Sequence, residues 1–368
     1  MKALNIALAG NSAWSILNFR RNLIEKIISE GHKVWIIAPA DSAVSDLKEL
    51  GCLFEDISIA RKGLNPFQDF SLVLQYRALM VKYSFDYIFS FNPKPNLYNC
   101  FASYFLKTKI IVNISGLGSA FLKNNFITKL ILFMYKVALS RSYKIFFQNT
   151  GDQITFESLG IIPKNSSIVL PGSGIDLQLF SKNNYHLSNI EKIHFTFVGR
   201  LLTDKGLVEF LEASKICLQQ CPNLIFNICG NIDHGNPSSI DEDIIHLYQS
   251  KSIIFQGQIA NIKDALSKSH CIVLPSYREG LSRSLLEGAA SGIPLIATDV
   301  PGCRELVDDG KNGFLCRPRD SEDLAKQIIK FASMDVSSII KMGDFSRLKA
   351  EQEFSVDVVV SFYLESLR

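Results

Sequence analysis

Two glutamates and two glycines stand close together in residues 276–288, which read SYREGLSRSLLEG. Glu279 is followed at once by Gly280, and Glu287 lies eight residues after Glu279. Because the stretch follows the apolar run CIVLP, we expect a strand, a loop with Glu279 and a helix with Glu287. Eight helical residues rise about 12 Å, more than the roughly 5 to 9.5 Å between the paired carboxylates of a glycosidase. Such carboxylates suit the two ends of one extended ligand, although from the residues alone two surface glutamates are the simpler interpretation.

The backbone of Gly280, Leu281 and Ser282 is a second feature of the same stretch. Its N–H groups would stand where the predicted helix begins, and helix starts favour a phosphate or a sugar hydroxyl. We therefore expect these three residues to contribute main-chain contacts to a ligand.

Two cations follow another predicted strand, in the sequence FVGRLLTDKG of residues 197–206. The strand would end at Gly199, and Arg200 and Lys205 come before the next helical pattern. A planar guanidinium and a flexible ammonium near a helix start can clamp a pyrophosphate. A solvated loop with incidental charges explains the same residues.

Apolar runs alternate with amphipathic segments along the whole chain, which is typical of parallel sheets built from βαβ units. The polar segment of residues 181–192 interrupts the alternation and is the best linker candidate. We predict an α/β protein with two Rossmann-like, doubly wound domains that face a central cleft. The first domain would span residues 1–180 and the second residues 190–350. A C-terminal helix over about residues 352–368 would pack back on the first domain.

Ligands of open α/β sheets bind at the carboxyl ends of the strands. In the first domain Asn11, Lys94 and Ser115 stand at predicted strand ends and are candidates for contacting a ligand there. Gly10 lacks a side chain and would let a phosphate group approach the first loop.

The cysteines and the apolar segments indicate the compartment. None of the eight cysteines forms a CxxC pair, and most lie in apolar runs, which favours reduced, buried thiols in a cytoplasmic protein. The start of the chain is interpreted as a first strand rather than a signal peptide. The run LILFMYKVAL is too short for a membrane span and is broken by Lys136.

Charge is distributed unevenly. Residues 1–180 carry 19 Lys/Arg and 12 Asp/Glu, a balance of +7, whereas the rest carries 20 and 24, a balance of −4. No acidic residue lies between Asp86 and Asp152. If residues 123–142 are helical, Phe126, Lys129, Phe133 and Lys136 share one face, which suits an anionic membrane surface. A core helix with solvated lysines would explain the helix alone, and the acid-free stretch favours the membrane.

Other site types receive little support. The six histidines are scattered without metal-ligand spacing, and Asp241, Glu242 and Asp243 are interpreted as a solvated face, so we expect no metal and no cofactor. The lone GLG element supports nicotinamide binding only weakly. No nucleic-acid-binding motif accompanies the basic first half, so nucleic acid is not an expected partner.

The combination of VGRLLTDKG with EGLSRSLLEG and the upstream LPGSGIDLQLF resembles the family of retaining nucleotide-sugar glycosyltransferases with the GT-B fold, family 4 type. The likeness covers most of residues 165–330. It implies that Glu279 contacts the donor sugar and Glu287 the nucleotide ribose. It also implies that Arg200 and Lys205 bind the diphosphate, and that Gly280, Leu281 and Ser282 supply backbone contacts.

The first half is similar to bacterial surface-polysaccharide enzymes of that family with polyprenyl-diphosphate-linked acceptors, including the bacillosamine α-1,3-N-acetylgalactosaminyltransferase type. The segments RKGLNPFQDF, NPKPNLYN, ISGLGSAFL and FQNTGD carry this resemblance. Many relatives have His-Gly after the strand KIIVNI, where this chain has Ser115 and Gly116. Whatever this histidine does in those relatives must be done by another group in this chain, or is not done at all.

The resemblance implies a metal-independent transferase that moves a hexose or N-acetylhexosamine from a UDP-sugar to a polyprenyl-diphosphate-linked saccharide. Its place would be the inner face of the plasma membrane, held by the basic first domain. Two transferase alternatives act on lipopolysaccharide core or on a soluble acceptor. Alternatives of other classes are a UDP-N-acetylglucosamine 2-epimerase and a non-catalytic nucleotide-binding module.

Overall fold

The computed structural model describes residues 3–59, 65–117, 126–182, 192–259 and 261–367. Parts of the predicted linker and of the segments RKGLNPFQDF and ISGLGSAFL lie outside these ranges. The chain forms two compact units, Met1–Ser173 with Val356–Arg368, and Gly174–Ser355. Each has its own parallel sheet, which confirms the predicted two-domain α/β architecture.

Within the described residues, the first unit has a seven-stranded parallel sheet with the order β3-β2-β1-β4-β5-β6-β7. Strands β1 to β7 span Asn5–Ala9, Lys33–Ala38, Leu53–Asp56, Tyr87–Phe91, Lys109–Ile114, Lys144–Phe147 and Ile168–Val169. Helices α1 to α6 span Ala13–Ser29, Val44–Glu49, Pro66–Tyr83, Pro93–Ala102, Phe126–Leu139 and Thr150–Ser158.

The inner strands of this sheet are apolar on both sides because helices cover both faces. Helices α3, α4 and α5 pack on one face with a core that includes Tyr76, Leu97 and Tyr135. Helix α1 and the C-terminal helix α13, Val356–Glu365, share the core of the opposite face.

The second unit has, within the described residues, a six-stranded parallel sheet with the order β10-β9-β8-β11-β12-β13. Strands β8 to β13 span Ile193–Val198, Leu224–Cys229, Ile253–Gly257, Cys271–Leu274, Leu295–Thr298 and Gly313–Cys316. Helices α7 to α12 span Leu207–Gln220, Glu242–Tyr248, Ile262–Leu266, Arg283–Ala290, Ser321–Ala332 and Val336–Glu353.

The boundaries between the units differ from the predicted residue numbers for a packing reason. Ile175 and Phe180 are buried in the core of the second unit, so the first unit ends before residue 180. At the other end α12 continues to Glu353, and Phe354 is still buried in the second core. The chain therefore returns to the first unit at Val356, a few residues after the predicted start of the C-terminal helix.

Helix α13 belongs to the first unit through Tyr363. The Tyr363 ring makes edge-to-face contacts with Phe89 and Phe146, and the Asn113 side-chain amide donates to its hydroxyl. No helix among the described residues combines the length and apolar character needed to cross a membrane.

Candidate donor site and family assignment

The loops that follow β8, β9, β11 and β12 converge at the carboxyl edge of the second sheet, because these four strands are neighbours. Parallel strands end at the same edge, so the predicted cations and glutamates come from adjacent loops. Lys205 ends the 3-10 turn Thr203–Lys205 between β8 and α7. Glu279 lies in the loop between β11 and α10.

Lys205 and Glu279 form an ion pair, with 2.5 Å between Nζ and Oε1. The two side chains are 24% and 11% exposed, so the pair is shielded yet reachable from solvent. The structure thus brings together two of the residues that the sequence assigned to one ligand.

Arg200 also lies at this edge, but it contacts a different carboxylate. Its Nη1 atom is 2.7 Å from Oδ2 of Asp233 in the loop after β9, and its side chain is largely exposed. The two cations expected to share one anion therefore each carry their own carboxylate partner. A diphosphate would have to exchange these contacts to be held by both.

Glu287 lies on α10 and is paired with Arg283 one turn earlier. The Arg283 Nε atom is 2.8 Å from Oε1 of Glu287, and its Nη1 donates to the Gly174 carbonyl oxygen. Burial raises the pKa of Glu287 above its ordinary value, and the guanidinium of Arg283 opposes this shift. This partnership of Arg283 was not predicted from the sequence.

The expected separation of Glu279 and Glu287 was taken from the rise of eight helical residues, whereas only part of this stretch is helical. Helix α10 begins at Arg283, with Ser282 as its N-cap and the Ser282 Oγ accepting from the Leu285 N–H. Residues 279–282 form a loop, so the rise of an ideal helix does not give the distance between the two carboxylates.

The three residues predicted to contribute main-chain contacts, Gly280, Leu281 and Ser282, have different surroundings in the structure. The Ser282 N–H donates to the Gly302 carbonyl oxygen at 2.9 Å, so this amide already has a partner in the fold. The Leu281 side chain packs against the core of the second unit. Gly280 lies in the loop directly after Glu279, half-buried.

Two glycines that the sequence analysis did not single out shape this loop. Gly206 has φ of +72°, and a Cβ there would stand 1.9 Å from the Pro275 carbonyl oxygen. Gly302 has φ of +84°, and a Cβ there would stand 2.4 Å from the carbonyl oxygen of Glu279. Only glycine fits these close approaches. Their sequence signals were the glycines of TDKG and VPGC.

Asp204 is a further residue that the sequence analysis missed. Its main-chain oxygen accepts from the Tyr277 N–H at 2.9 Å and from the Ser276 hydroxyl at 3.1 Å. Its carboxylate accepts from the Ser238 hydroxyl at 2.7 Å. Asp204 thereby ties together three of the loops at this edge.

In the first unit, Gly10 and Asn11 follow β1 at the carboxyl edge. A Cβ at Gly10 would stand 3.0 Å from Cγ1 of Ile16, so close packing gives a structural reason for this glycine. The Asn11 N–H donates to Oδ1 of Asn92 at 3.3 Å. Asn92 itself has φ of +74°, a left-handed value that is uncommon outside glycine, and it was not predicted as a site residue.

Lys94 and Ser115 lie at the same edge, because β1, β4 and β5 are neighbours. Lys94 is in the first turn of α4, and its Nζ is 2.8 Å from Oδ1 of Asp69 on α3. Ser115 follows β5 and is exposed. The four first-unit residues therefore share an edge, but Lys94 is engaged by a carboxylate that the sequence analysis did not connect with it.

Among the described residues, no group of three or more His, Cys, Asp or Glu side chains is arranged to hold a metal ion. Asp241 of the DED segment caps α8, accepting from the Asp243 N–H.

Residues 182–344 match the family described as glycosyl transferases group 1, and residues 5–149 match the family described as glycosyl transferase 4-like. The chain is 25% identical over 340 residues to the N,N'-diacetylbacillosaminyl-diphospho-undecaprenol alpha-1,3-N-acetylgalactosaminyltransferase of Campylobacter jejuni, covering 88% of each chain. It is 27% identical over 240 residues to the UDP-Gal:alpha-D-GlcNAc-diphosphoundecaprenol alpha-1,3-galactosyltransferase of Escherichia coli, covering 60% of this chain and 59% of the relative.

Among solved structures, Alr3699/HepE of Anabaena in complex with UDP and glucose superposes with a TM-score of 0.78 at 19% identity, covering 99% of both chains. A glycosyltransferase of Rickettsia africae gives a TM-score of 0.80 at 18% identity, covering 99% and 98%. These structures confirm the fold. The chain is a GT-B glycosyltransferase of the group 1, family-4-like type, and is related to transferases whose names specify undecaprenyl-diphosphate-linked sugars.

Proposed function

We propose that this chain is a retaining, metal-independent glycosyltransferase that moves a hexose or N-acetylhexosamine from a UDP-sugar to a polyprenyl-diphosphate-linked saccharide. The observation that carries the proposal is the shielded Lys205–Glu279 pair in the region that matches group 1 transferases. Two relatives support the acceptor class, because their names specify diphospho-undecaprenol and diphosphoundecaprenol substrates.

In this proposal the donor replaces the existing ion pairs. Lys205 leaves Glu279, Arg200 leaves Asp233, and both cations bind the diphosphate. Glu279 then accepts hydrogen bonds from the hydroxyls of the donor sugar. Glu287 accepts from the ribose hydroxyls, with Arg283 beside it to keep the buried carboxylate ionised. Gly280 and Leu281 contribute main-chain contacts. Gly10 remains a candidate for phosphate approach from the first unit.

The reaction breaks the bond between the anomeric carbon and the diphosphate oxygen and forms a bond from that carbon to the acceptor oxygen. Charge that develops on the leaving diphosphate is stabilised by Arg200 and Lys205. The acceptor proton passes to the departing phosphate oxygen, so no protein base is required. Attack from the face that the diphosphate leaves retains the anomeric configuration.

Asn11, Lys94 and Ser115 are proposed to contact the acceptor from the first unit. Lys94 would leave Asp69 and bind the acceptor diphosphate, just as Lys205 leaves Glu279 and binds the donor diphosphate. Ser115 offers a hydroxyl where many relatives have an imidazole. Asn92 adds an amide next to Asn11.

A membrane surface is proposed as a further partner of the first unit. On α5 the side chains of Lys129, Phe133 and Lys136 are exposed, with Phe133 at 64%. The side chain of Phe126 lies outside the described residues. Aromatic rings beside lysines suit the headgroup layer of an anionic membrane, and the acid-free stretch from residue 87 to 151 adds positive charge.

Helix α3 adds an apolar stripe that the sequence analysis did not recognise. Phe67, Phe70 and Leu74 are 88%, 65% and 50% exposed and recur at helical spacing on the side away from the core. Because α3 and α5 both pack against α4, their exposed residues belong to one helical layer of the first unit. We propose that this layer lies on the cytoplasmic face of the membrane.

The proposal is tested by UDP release from a panel of UDP-hexoses and UDP-N-acetylhexosamines, with and without a polyprenyl-diphosphate-linked amino sugar in detergent. We expect release above the background rate only when donor and lipid acceptor are both present. Release with lipopolysaccharide core or a soluble saccharide instead would favour the alternative transferases. Interconversion of the donor without acceptor would identify a 2-epimerase. UDP binding without any turnover would indicate a nucleotide-binding module.

A further inference from the structure

Two side-chain contacts run in parallel between the start of α7 and the loop before α10. One is the ion pair of Lys205 with Glu279. The other joins Tyr277 to Glu209, with the Tyr277 hydroxyl donating to Glu209 Oε1 at 2.6 Å. Lys205 and Glu209 thus hold two residues of one short loop from the same segment of chain.

We propose that Tyr277 and Glu209 are positioning residues that keep Glu279 in place when Lys205 leaves it for the donor diphosphate. This inference rests on the proposed function, in which the Lys205–Glu279 ion pair breaks and both residues bind the donor instead. Once that pair opens, the Tyr277–Glu209 contact keeps the loop fixed to α7.

The burial of Glu209 supports this role. Glu209 is only 8% exposed, and its second oxygen, Oε2, is buried without a hydrogen-bond partner among the described residues. A buried carboxylate with an unbonded oxygen is costly. Packing alone therefore gives no reason for a glutamate here, whereas a strong, directional bond to the loop does.

The surroundings of Tyr277 keep its hydroxyl a donor. Burial raises the pKa of Tyr277, and the hydrogen bond to Glu209 raises it further, so the phenol stays protonated near neutral pH. The Arg319 guanidinium lies 4.5 Å from the ring centroid and braces the ring. The Tyr277 N–H is also bonded to the Asp204 carbonyl oxygen, at 2.9 Å.

The contact involves no residue that is proposed to touch the donor. Its loss should therefore affect the placement of Glu279 more than the binding of the nucleotide. The distinction separates a positioning role from general support of the fold, because a loosened fold would weaken both.

The test compares Tyr277→Phe, Glu209→Gln and Glu209→Ala with the unchanged protein. Tyr277→Phe and Glu209→Ala should each lower kcat about tenfold and leave the Kd for UDP within about twofold, which corresponds to one charge-assisted hydrogen bond. Glu209→Gln keeps an acceptor oxygen and should retain most of kcat. The double variant Tyr277→Phe/Glu209→Ala should be no slower than either single variant. Tyr248→Phe, whose ring packs under Lys215, is the matched control and should keep full activity.

A fall in Tm together with an equal loss of UDP affinity would overturn the positioning role, and so would full activity of Glu209→Ala. Calorimetry measures the Tm and the UDP affinity of each variant, so a failed positioning role can be told apart from a failed proposed function. If the unchanged protein transfers no sugar, the proposed function fails. The positioning role is then decided by whether Tyr277→Phe lowers the affinity for a UDP-sugar while leaving the affinity for UDP unchanged.

Discussion

At the scale of residues, Lys205 and Glu279 neutralise each other's charge, with 2.5 Å between Nζ and Oε1. Removing the Glu279 side chain frees Lys205 for phosphate but removes the group proposed to hold the sugar. We therefore expect Glu279→Ala to lower kcat by roughly a hundredfold or more, comparable with the loss of one transition-state contact, and to leave UDP affinity unchanged or slightly stronger.

Glu287→Ala should behave in the opposite way, because its carboxylate is proposed to bind the ribose. We expect UDP affinity to fall about tenfold, the value of one hydrogen bond to a charged group. Calorimetric titration with UDP measures both variants, and Glu242→Ala, an exposed residue of α8, serves as the control. Near-full transfer activity of Glu279→Ala would show that its assigned role is wrong.

Much of this site could be predicted from local sequence, but its partnerships could not. Spacing and residue type placed Arg200, Lys205 and Glu279 in loops at one sheet edge. The pairs of Arg200 with Asp233 and of Lys94 with Asp69 join residues far apart in the chain. Such pairs depend on how loops meet after folding, which a periodic pattern does not encode.

At the scale of elements, the strands of the second unit lie where the apolar runs predicted them, because buried parallel strands are continuous apolar segments. The loop with Glu279 and the helix with Glu287 also lie where they were predicted, and Ser282 is the N-cap of α10. The outward stripe of α3, in contrast, was not predicted. Its buried residues Leu72, Tyr76 and Met80 alternate with exposed apolar ones, so the sequence pattern does not separate the two faces.

The stripe leads to a prediction about membrane binding. Phe67→Ser/Phe70→Ser/Leu74→Ser should weaken binding to vesicles of phosphatidylcholine and phosphatidylglycerol at least tenfold, because each buried apolar side chain contributes about 1.5–3 kcal/mol. Lys129→Glu/Lys136→Glu should weaken it only at low salt, since salt screens the charge contribution. Flotation of vesicles measures both effects.

The matched control for flotation is Phe345→Ser, an exposed aromatic of the second unit. Its binding should equal that of the unchanged protein. If the α3 variant floats as well as the unchanged protein, the apolar stripe does not face the membrane. If salt has no effect on the unchanged protein, the basic surface does not contribute.

At the scale of the whole molecule, the donor candidates and the acceptor candidates lie at the edges of different sheets. The second unit carries the donor candidates Arg200, Lys205, Glu279 and Glu287, and the first carries Asn11, Lys94 and Ser115 at its own sheet edge. The two-domain architecture was predictable because the βαβ rhythm restarts after a polar segment. The exact residues at which the chain passes from one unit to the other were not, because they depend on the burial of Ile175, Phe180 and Phe354.

The most direct test of the proposed retaining transfer is the anomeric configuration of the product. The purified protein would be incubated with a UDP-α-sugar labelled with ¹³C at the anomeric carbon and a polyprenyl-diphosphate-linked amino sugar, and the lipid product examined by NMR. We expect one labelled sugar joined to the lipid-linked saccharide by an α-linkage. A β-linked product, or label that never reaches the lipid fraction while the donor is consumed, would contradict the proposed retaining transfer.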